Sequence, residues 1–281
     1  MKAGFWVAPE GEDAALAVTP IAVEPSERVK KFVPLAGAAE ETIRRCERTA
    51  ALLPKLIGAL ARQKAAASNR MFDVTDFGAD DRALVDDVLG EGEVAGVATL
   101  AGGLAAQIQE AAMAGLWRVH FADASGARRG DYIEVGAIPE AVRAACAGAS
   151  SDLVVGEAPR EAMNVMPVLA EIRDRMARRR PGDPAHVIAL SRLPMTPADM
   201  DFLRATLGVG SVRLVWRGHG LCRVAATSAR SVWSVQFADA MDTVTLDTLE
   251  IGDAPAVVQA ADEDFADSAA RLGEIEEAYF R

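Results

Sequence analysis

The chain has 281 residues, half of them hydrophobic and a quarter charged, a composition that excludes a disordered protein. Its formal net charge of -11 argues against nucleic-acid binding, which needs a basic surface, and against binding to an anionic membrane. Three cysteines without a CxxC pair indicate a reducing compartment rather than a disulfide scaffold. Because the sequence shows neither a secretory signal nor a membrane span, we expect a cytoplasmic protein.

The first part of the chain predicts an arm followed by an α+β unit. Residues 1–38 mix four prolines with small and charged residues, which is typical of an extended or flexible arm. Residues 39–64 have helical apolar spacing, residues 71–74 favour a strand, and a short helix ends at Leu89-Gly90. Trp117, Val119 and Phe121 alternate, which indicates a strand with one buried face before a turn at 123–126 and a helix from Pro139.

The second part predicts the same succession of elements. A helix over 158–180 precedes a strand at 186–190, and Thr196 with Asp199 forms a capping-box pattern at the next helix start. That helix ends at Leu207-Gly208, strands follow, and residues 263–280 favour an amphipathic closing helix.

The two parts also match residue by residue. WRVHFAD at 117–123 matches WSVQFAD at 233–239 with an offset of 116, and LGEGEV at 89–94 matches LGVGSV at 207–212 with an offset of 118. We therefore predict an α+β fold of two tandem similar repeats, each a mixed or antiparallel sheet covered by helices. The predicted boundaries are an arm at 1–38, a first repeat at 39–150, and a second repeat at 151–281 that includes the closing helix.

The repeat separates scaffold residues from residues that one copy has alone. The segment 218–223 aligns with 102–107, where the first copy has neither a thiol nor a guanidinium. The fold does not require these groups, so they are candidates for binding, although drift produces the same pattern. The candidate binding residues are Gly218, His219, Gly220, Cys222 and Arg223.

Acidic residues are concentrated between positions 71 and 93. A solvated helix face explains them, and so does a docking patch for a basic segment of a partner. The candidate patch residues are Asp80, Asp81, Asp86 and Asp87.

We expect no cofactor, no metal and no catalytic residues. The cysteines and histidines are scattered, and His219 with Cys222 supplies half of a metal site at most. The glycine clusters match neither a P-loop nor GxGxxG, and no GxSxG is present.

Several segments resemble the HupH/HyaF family of hydrogenase expression/formation proteins. They are LPMTPAD at 193–199, RGHGLCR at 217–223 and VWSVQF at 232–237, and the resemblance covers roughly residues 40–275. It is most specific in the second repeat, a HupH-like C-terminal domain. The family pattern usually has Tyr and Asn where this chain has His219 and Leu221, whereas Cys222 and Arg223 match it.

The resemblance implies a cytoplasmic accessory protein for maturation of uptake [NiFe] hydrogenase. The leading hypothesis is a non-enzymatic assembly chaperone that binds the precursor of the iron–sulfur small subunit before its export, alongside a thioredoxin-like maturation partner. The alternative is a thiol-dependent factor that handles a metal, a cluster or a redox step through Cys222. A weaker third hypothesis is an enzyme that binds a small ligand between the two copies.

Overall fold

The computed structural model describes residues 43–280, so the predicted arm at 1–38 lies outside the described residues. The helices are α1 (Glu47–Leu60), α2 (Ala79–Leu89), α3 (Glu140–Cys146), α4 (Val165–Arg178), α5 (Pro197–Leu207) and α6 (Asp262–Tyr279). The strands are β1 (Arg70–Asp73), β2 (Val94–Thr99), β3 (Ala105–Glu110), β4 (Leu116–Ala122), β5 (Arg128–Val135), β6 (His186–Ala189), β7 (Val212–Arg217), β8 (Leu221–Ala226), β9 (Val232–Ala238) and β10 (Val244–Ile251). Between residues 43 and 280, no helix has the length and apolar character that a membrane span requires.

The chain divides into two compact units. Of the described residues, the N-terminal unit contains 43–95, 103–140 and 259–280, and the C-terminal unit contains 96–102 and 141–258. Each unit combines antiparallel strands with helices, so the α+β class predicted from the sequence is confirmed. The predicted boundary at residue 150 stays a prediction.

The N-terminal unit carries its strands in the order β1-β5-β4-β3. Helices α1, α2 and α6 cover one face of this sheet, because their apolar stripes bury themselves against the inward side chains of β4 and β5. Leu53, Leu56 and Leu116 are examples from this core, and each is at most 1% exposed. Pro54 lies inside α1 without ending it.

The closing helix α6 packs on the N-terminal unit, although the sequence grouped it with the second repeat. Phe265 is 1% exposed and belongs to the core shared with α1. Its ring lies against Gly115, where an added Cβ would come within 2.4 Å of it. Ser268 Oγ donates to the carbonyl of Ala114 at 2.8 Å. The apolar stripe was predictable, but the stripe alone does not specify which unit it covers.

The C-terminal unit repeats this arrangement with the strand order β6-β10-β9-β8-β7. Helices α4 and α5 cover one face of its sheet through a separate core that includes Leu169, Ile172, Leu203 and Leu249. All four of these side chains are at most 1% exposed. This unit therefore has a hydrophobic core of its own.

The two units agree in register as well as in strand order. Trp117 of β4 lies opposite Glu134 of β5, and Trp233 of β9 lies opposite Glu250 of β10. Both tryptophans are at most 4% exposed. Glu134 accepts a 2.7 Å hydrogen bond from the backbone N–H of Glu140 and so caps the start of α3. Trp117, Trp233 and Glu134 are therefore scaffold residues.

The helix boundaries also correspond. Helices α1 and α4 both have 14 residues, and α2 and α5 both have 11. Gly90 and Gly208 follow α2 and α5 with φ of 60° and 63°, as the Leu-Gly pattern predicted. The predicted capping box is present, since Thr196 Oγ1 accepts from the backbone N–H of Asp199 at 3.1 Å.

Glu110, at the end of β3, provides a test of the core of the N-terminal unit. It is 8% exposed, and burial raises its pKa to about 7. Below pH 4.5 both the folded and the unfolded chain hold this proton. As the pH rises to 7 only the unfolded chain releases it, so stability falls by about 3 kcal/mol. We expect Glu110→Gln to remove this loss.

Urea unfolding at pH 4 and at pH 8 measures the difference in stability between this variant and the wild type. The exposed Glu91→Gln change removes a carboxylate that is not among the causes of the raised pKa of Glu110, and it serves as the control. If the difference for Glu110→Gln stays constant between the two pH values, the carboxyl of Glu110 titrates normally and the burial argument fails.

Candidate functional site

The first candidate segment forms the tight hairpin between β7 and β8. Gly218, His219 and Gly220 make the turn, and the imidazole of His219 is exposed at its tip. An added Cβ at Gly218 would come within 2.0 Å of the Trp216 ring, so this position needs glycine. The hairpin therefore explains Gly218, whereas an added Cβ at Gly220 would only come within 3.5 Å of the Ala238 carbonyl oxygen, an ordinary contact.

Cys222 is the second residue of β8 and lies between Trp216 of β7 and Phe237 of β9. Its side chain is fully buried. Burial, with a smaller contribution from the carboxylate of Glu250, raises the pKa of this thiol to about 12. Because thiolates rather than thiols attack electrophiles and bind metals, Cys222 has the environment of a structural cysteine.

Arg223 points to the opposite face of β8, since neighbouring residues in a strand alternate between faces. Its guanidinium forms an ion pair with Asp242 in the turn between β9 and β10. The structure therefore does not bring the predicted residues together. His219 is at a turn, Cys222 is in the core, and Arg223 is on the other side of the sheet.

We expect Cys222→Ala to leave the hydrogenase maturation that the family resemblance implies unchanged at permissive temperature. Removing the buried sulfur leaves a small cavity that costs about 1 kcal/mol, which is a modest part of the stability of a domain. Hydrogenase activity in cells carrying the variant, normalised to the amount of variant protein, measures the outcome. Cys146→Ala, at a partly buried cysteine of the same unit, is the control. Loss of maturation with Cys222→Ala alone would reinstate the thiol-dependent alternative.

The acidic candidates on α2 separate into two groups. The Asp81 carboxylate accepts from the backbone N–H of Thr49 at 2.9 Å and from its hydroxyl at 2.8 Å, which ties α2 to the first turn of α1. Asp86 forms a 2.9 Å ion pair with Arg118 of β4. Asp80 and Asp87 are exposed and lie two helical turns apart on one face of α2. Asp81 and Asp86 thus have internal roles, and Asp80 and Asp87 are the members available to a partner.

Beside α2 the N-terminal unit contains a cleft of about 180 Å³ lined by charged side chains and His120 together with apolar and aromatic ones. We call it the charged cleft, and its charged or ionisable residues are Arg82, Asp86, Arg118, His120, Arg128 and Asp131. The carboxylate of Asp131 is 1% exposed and contacts both His120 and Arg128. Arg118 is paired with Asp86, but its Nε–H is buried and has no hydrogen-bond partner among the described residues.

The electrostatics of the charged cleft reflect an excess of cations. Burial lowers the pKa of His120, and the neighbouring Arg118 lowers it further, so this imidazole is neutral at pH 7. Burial also lowers the pKa of Arg128, with repulsion from Arg82 as the next cause. Three guanidiniums against two carboxylates leave a net charge of +1 in a chain whose formal net charge is -11.

The C-terminal unit has a different set of residues at the equivalent positions. Gln236 and Asp247 stand where the first copy has His120 and Asp131, and the Gln236 amide donates to Asp247 at 3.1 Å within the buried interior. Ser234, Val244 and Met200 replace the three arginines of the charged cleft. The sequence contains this signal, because the aligned positions carry charges in the first copy alone.

The side chains of residues 43–280 do not indicate a metal centre. No group of three or more His, Cys, Asp or Glu side chains there is placed to hold a metal ion. Cys46, Cys146 and Cys222 are all free thiols.

Comparison with known proteins identifies the family. The model of the HupH hydrogenase expression protein family, C-terminal conserved region, matches residues 49–151 and again residues 162–279. The two matched regions correspond closely to the two repeats predicted from the sequence.

Similar proteins are named for hydrogenase expression and formation or for a hydrogenase operon. The hydrogenase expression/formation protein HupH of Rhizobium leguminosarum bv. viciae is 61% identical over 282 residues, with 100% of both chains covered. HoxQ of Cupriavidus necator, also named a hydrogenase expression/formation protein, is 41% identical over 80% of this chain and 79% of its own. The hydrogenase-1 operon protein HyaF of Escherichia coli is 34% identical over 72% of this chain and 71% of its own.

A solved structure of hydrogenase expression protein HupH from Thiobacillus denitrificans is 30% identical, with a TM-score of 0.38, and covers 41% of this chain and 95% of that chain. The match to the family model and the 61% identity to a full-length relative establish the family. The chain belongs to the HupH family of hydrogenase expression/formation proteins.

Proposed function

We propose that this protein is an accessory factor in the maturation of [NiFe] hydrogenase and that it binds the immature iron–sulfur small subunit in the cytoplasm before export. The observation that carries the proposal is the 61% identity, over the full length of both chains, to a protein named for hydrogenase expression and formation. The choice of the small subunit, and of a thioredoxin-like protein as a second partner, follows from the family resemblance.

A binding role suits the arrangement of the polar groups better than a catalytic role. The nucleophile that the sequence offered, Cys222, is buried with a pKa of about 12, and His219 lies at the exposed tip of a hairpin. Nucleophilic catalysis needs an activated nucleophile and a base in hydrogen-bond contact. We therefore propose a non-enzymatic chaperone whose two similar units are tandem copies of one α+β repeat.

Deletion and complementation test this proposal. Cells that lack the gene are expected to accumulate unprocessed small subunit and to lose most hydrogenase activity, and the wild-type gene is expected to restore both. Immunoblots of the small subunit and hydrogen-dependent dye reduction report the two readouts. Normal processing and activity in the deletion strain would refute the proposal, and a defect confined to the large subunit would refute the choice of partner.

We further propose that the exposed pair Asp80 and Asp87 attracts the basic region of a twin-arginine signal peptide. Charges at the rim of an interface act mainly on association and on its salt dependence. We expect Asp80→Asn with Asp87→Asn to weaken binding of the precursor at low ionic strength by about threefold to tenfold, with a smaller effect at 0.5 M salt.

The matched control is the double change Glu157→Gln with Glu161→Gln, which removes two exposed carboxylates from the C-terminal unit. Affinity is measured for the precursor and for the same subunit without its signal peptide. If removal of the signal peptide leaves the salt dependence unchanged, the acidic pair does not bind that peptide.

A further inference from the structure

The charged cleft of the N-terminal unit carries different side chains from the equivalent positions of the C-terminal unit. The fold itself requires only a polar side chain opposite an aspartate at this point of the sheet, since the C-terminal unit satisfies it with Gln236 and Asp247. The N-terminal unit instead has His120 opposite Asp131 and adds three arginines. These additions are not needed to complete the fold.

Hydrogen bonding within the charged cleft is incomplete. The Nε–H of Arg118 is buried without a hydrogen-bond partner among residues 43–280, and a buried donor is unfavourable when nothing accepts from it. No described residue forms an ion pair or a side-chain hydrogen bond with Arg82, which lines the same cleft. The buried Oδ2 of Asp131, which contacts Arg128, also lacks a hydrogen bond. Arg118 and Arg82 are both donors, and the group that complements these two is an acceptor that carries negative charge.

The space and its access fit a small group. The cleft volume is about 180 Å³, which is room for a small polyatomic ion or one side-chain carboxylate. The side chains of His120 and Arg128 are 43% and 41% exposed, so the cleft is open to solvent. Guanidinium groups match carboxylate and phosphate oxygens in geometry as well as in charge.

We propose that the charged cleft of the N-terminal unit is a binding site for an oxyanion, either a free ion such as phosphate or a carboxylate on an acidic side chain of a partner protein. Arg82 and Arg118 donate to the oxyanion, and Arg128 and His120 border it. Asp86 and Asp131 hold the cations in place and keep the empty site close to neutral. The proposal does not depend on the identity of the hydrogenase partner.

The three histidines make the site measurable by nuclear magnetic resonance, because only His120, His186 and His219 contribute imidazole signals. His120→Gln assigns the signal of the cleft and introduces the residue that the second copy carries naturally. Inorganic phosphate is titrated into the full chain at constant ionic strength. We expect saturable shifts of the His120 signals, while the signals of His186 and His219 move only as they do with chloride.

Two matched variants then test the role of the free guanidinium. Arg82→Gln is expected to weaken phosphate binding about tenfold, the effect of one charge-assisted hydrogen bond of about 1.4 kcal/mol. The second copy has Met200 at this position, so the fold does not need a cation here. Arg173→Gln removes an exposed arginine of α4 and is expected to leave the affinity unchanged.

A second titration identifies the source of the oxyanion. It uses a short peptide with one glutamate and, as its control, the same peptide with glutamine. Tighter binding of the glutamate peptide than of phosphate assigns the cleft to a protein carboxylate, and the reverse order assigns it to a free ion. The proposal is overturned if neither probe shifts His120 selectively, or if Arg82→Gln and Arg173→Gln bind the probes equally.

Discussion

Replacing Asp199 with alanine is expected to lower the free energy of unfolding of the C-terminal unit by about 3 to 4 kcal/mol. The Asp199 carboxylate is fully buried and accepts hydrogen bonds from the backbone N–H groups of Thr196, Asn164 and Val165 at 2.8, 2.8 and 3.0 Å. It therefore caps its own helix α5 and the start of α4 together. Alanine would leave these donors buried without an acceptor.

The pH dependence of this effect follows from the pKa of Asp199. Burial alone would raise the pKa, but the hydrogen bonds from Thr196 and Asn164 outweigh burial and lower it below the usual 3.8. The contribution of this carboxylate to stability is thus present above pH 3.8 and is lost as the pH falls through the lowered pKa.

Hydrogen exchange followed by mass spectrometry measures the loss of stability in Asp199→Ala for each unit separately. Asp201→Ala is the control, because Asp201 lies on the same helix with a side chain that is 73% exposed and pairs only with Arg204 among the described residues. We expect this change to cost at most about 0.5 kcal/mol. Equal effects of the two changes would show that Asp199 does not join α5 to α4.

Replacing Phe265 with alanine is expected to destabilise the N-terminal unit by about 3 to 5 kcal/mol. Phe265 is 1% exposed and fills the space above Gly115, where backbone with φ of 79° brings the chain close to the ring. Removing the ring leaves a cavity that the rigid core around it closes only in part. Hydrogen exchange should therefore become faster in α1, on which α6 packs.

The unit that Phe265→Ala destabilises is as informative as the size of the destabilisation. Phe202→Ala, at a partly buried phenylalanine of α5, should increase exchange in the C-terminal unit instead. If Phe265→Ala increased exchange mainly between residues 165 and 207, the closing helix would belong with the second repeat, as its position in the sequence suggested.

Local features of the fold were predictable because they depend on neighbouring residues. The capping box at Thr196 and Asp199, the positive φ at Gly90, and the buried tryptophans Trp117 and Trp233 all follow from short patterns. A pattern of this kind acts through contacts within a few residues, so the sequence reveals it directly.

Features that depend on distant partners were not predictable in the same way. The apolar stripe of α6 indicates that the helix is covered, but it does not identify α1 as the partner. The capping pattern at Thr196 does not show that Asp199 also accepts from Asn164 and Val165, more than thirty residues earlier. The separation of Cys222 from Arg223 was predictable from strand alternation alone.

Comparison of the two copies was more informative for the site than any single motif. The hairpin at 218–223 was predicted as a binding segment because the first copy lacks its thiol, yet that thiol is buried in the sheet. The equivalent comparison in the other direction leads to Arg118 and Arg128, where the first copy has charges that the second lacks, and to His120 between them.

The most direct test of the central claim is co-purification of the tagged full chain from cells that produce hydrogenase, with the bound proteins identified by mass spectrometry. The account predicts that the small-subunit precursor elutes with this protein and still carries its signal peptide, while the exported mature form is absent. Recovery of the mature form in equal amount, or absence of the precursor from cells that contain it, would contradict the claim.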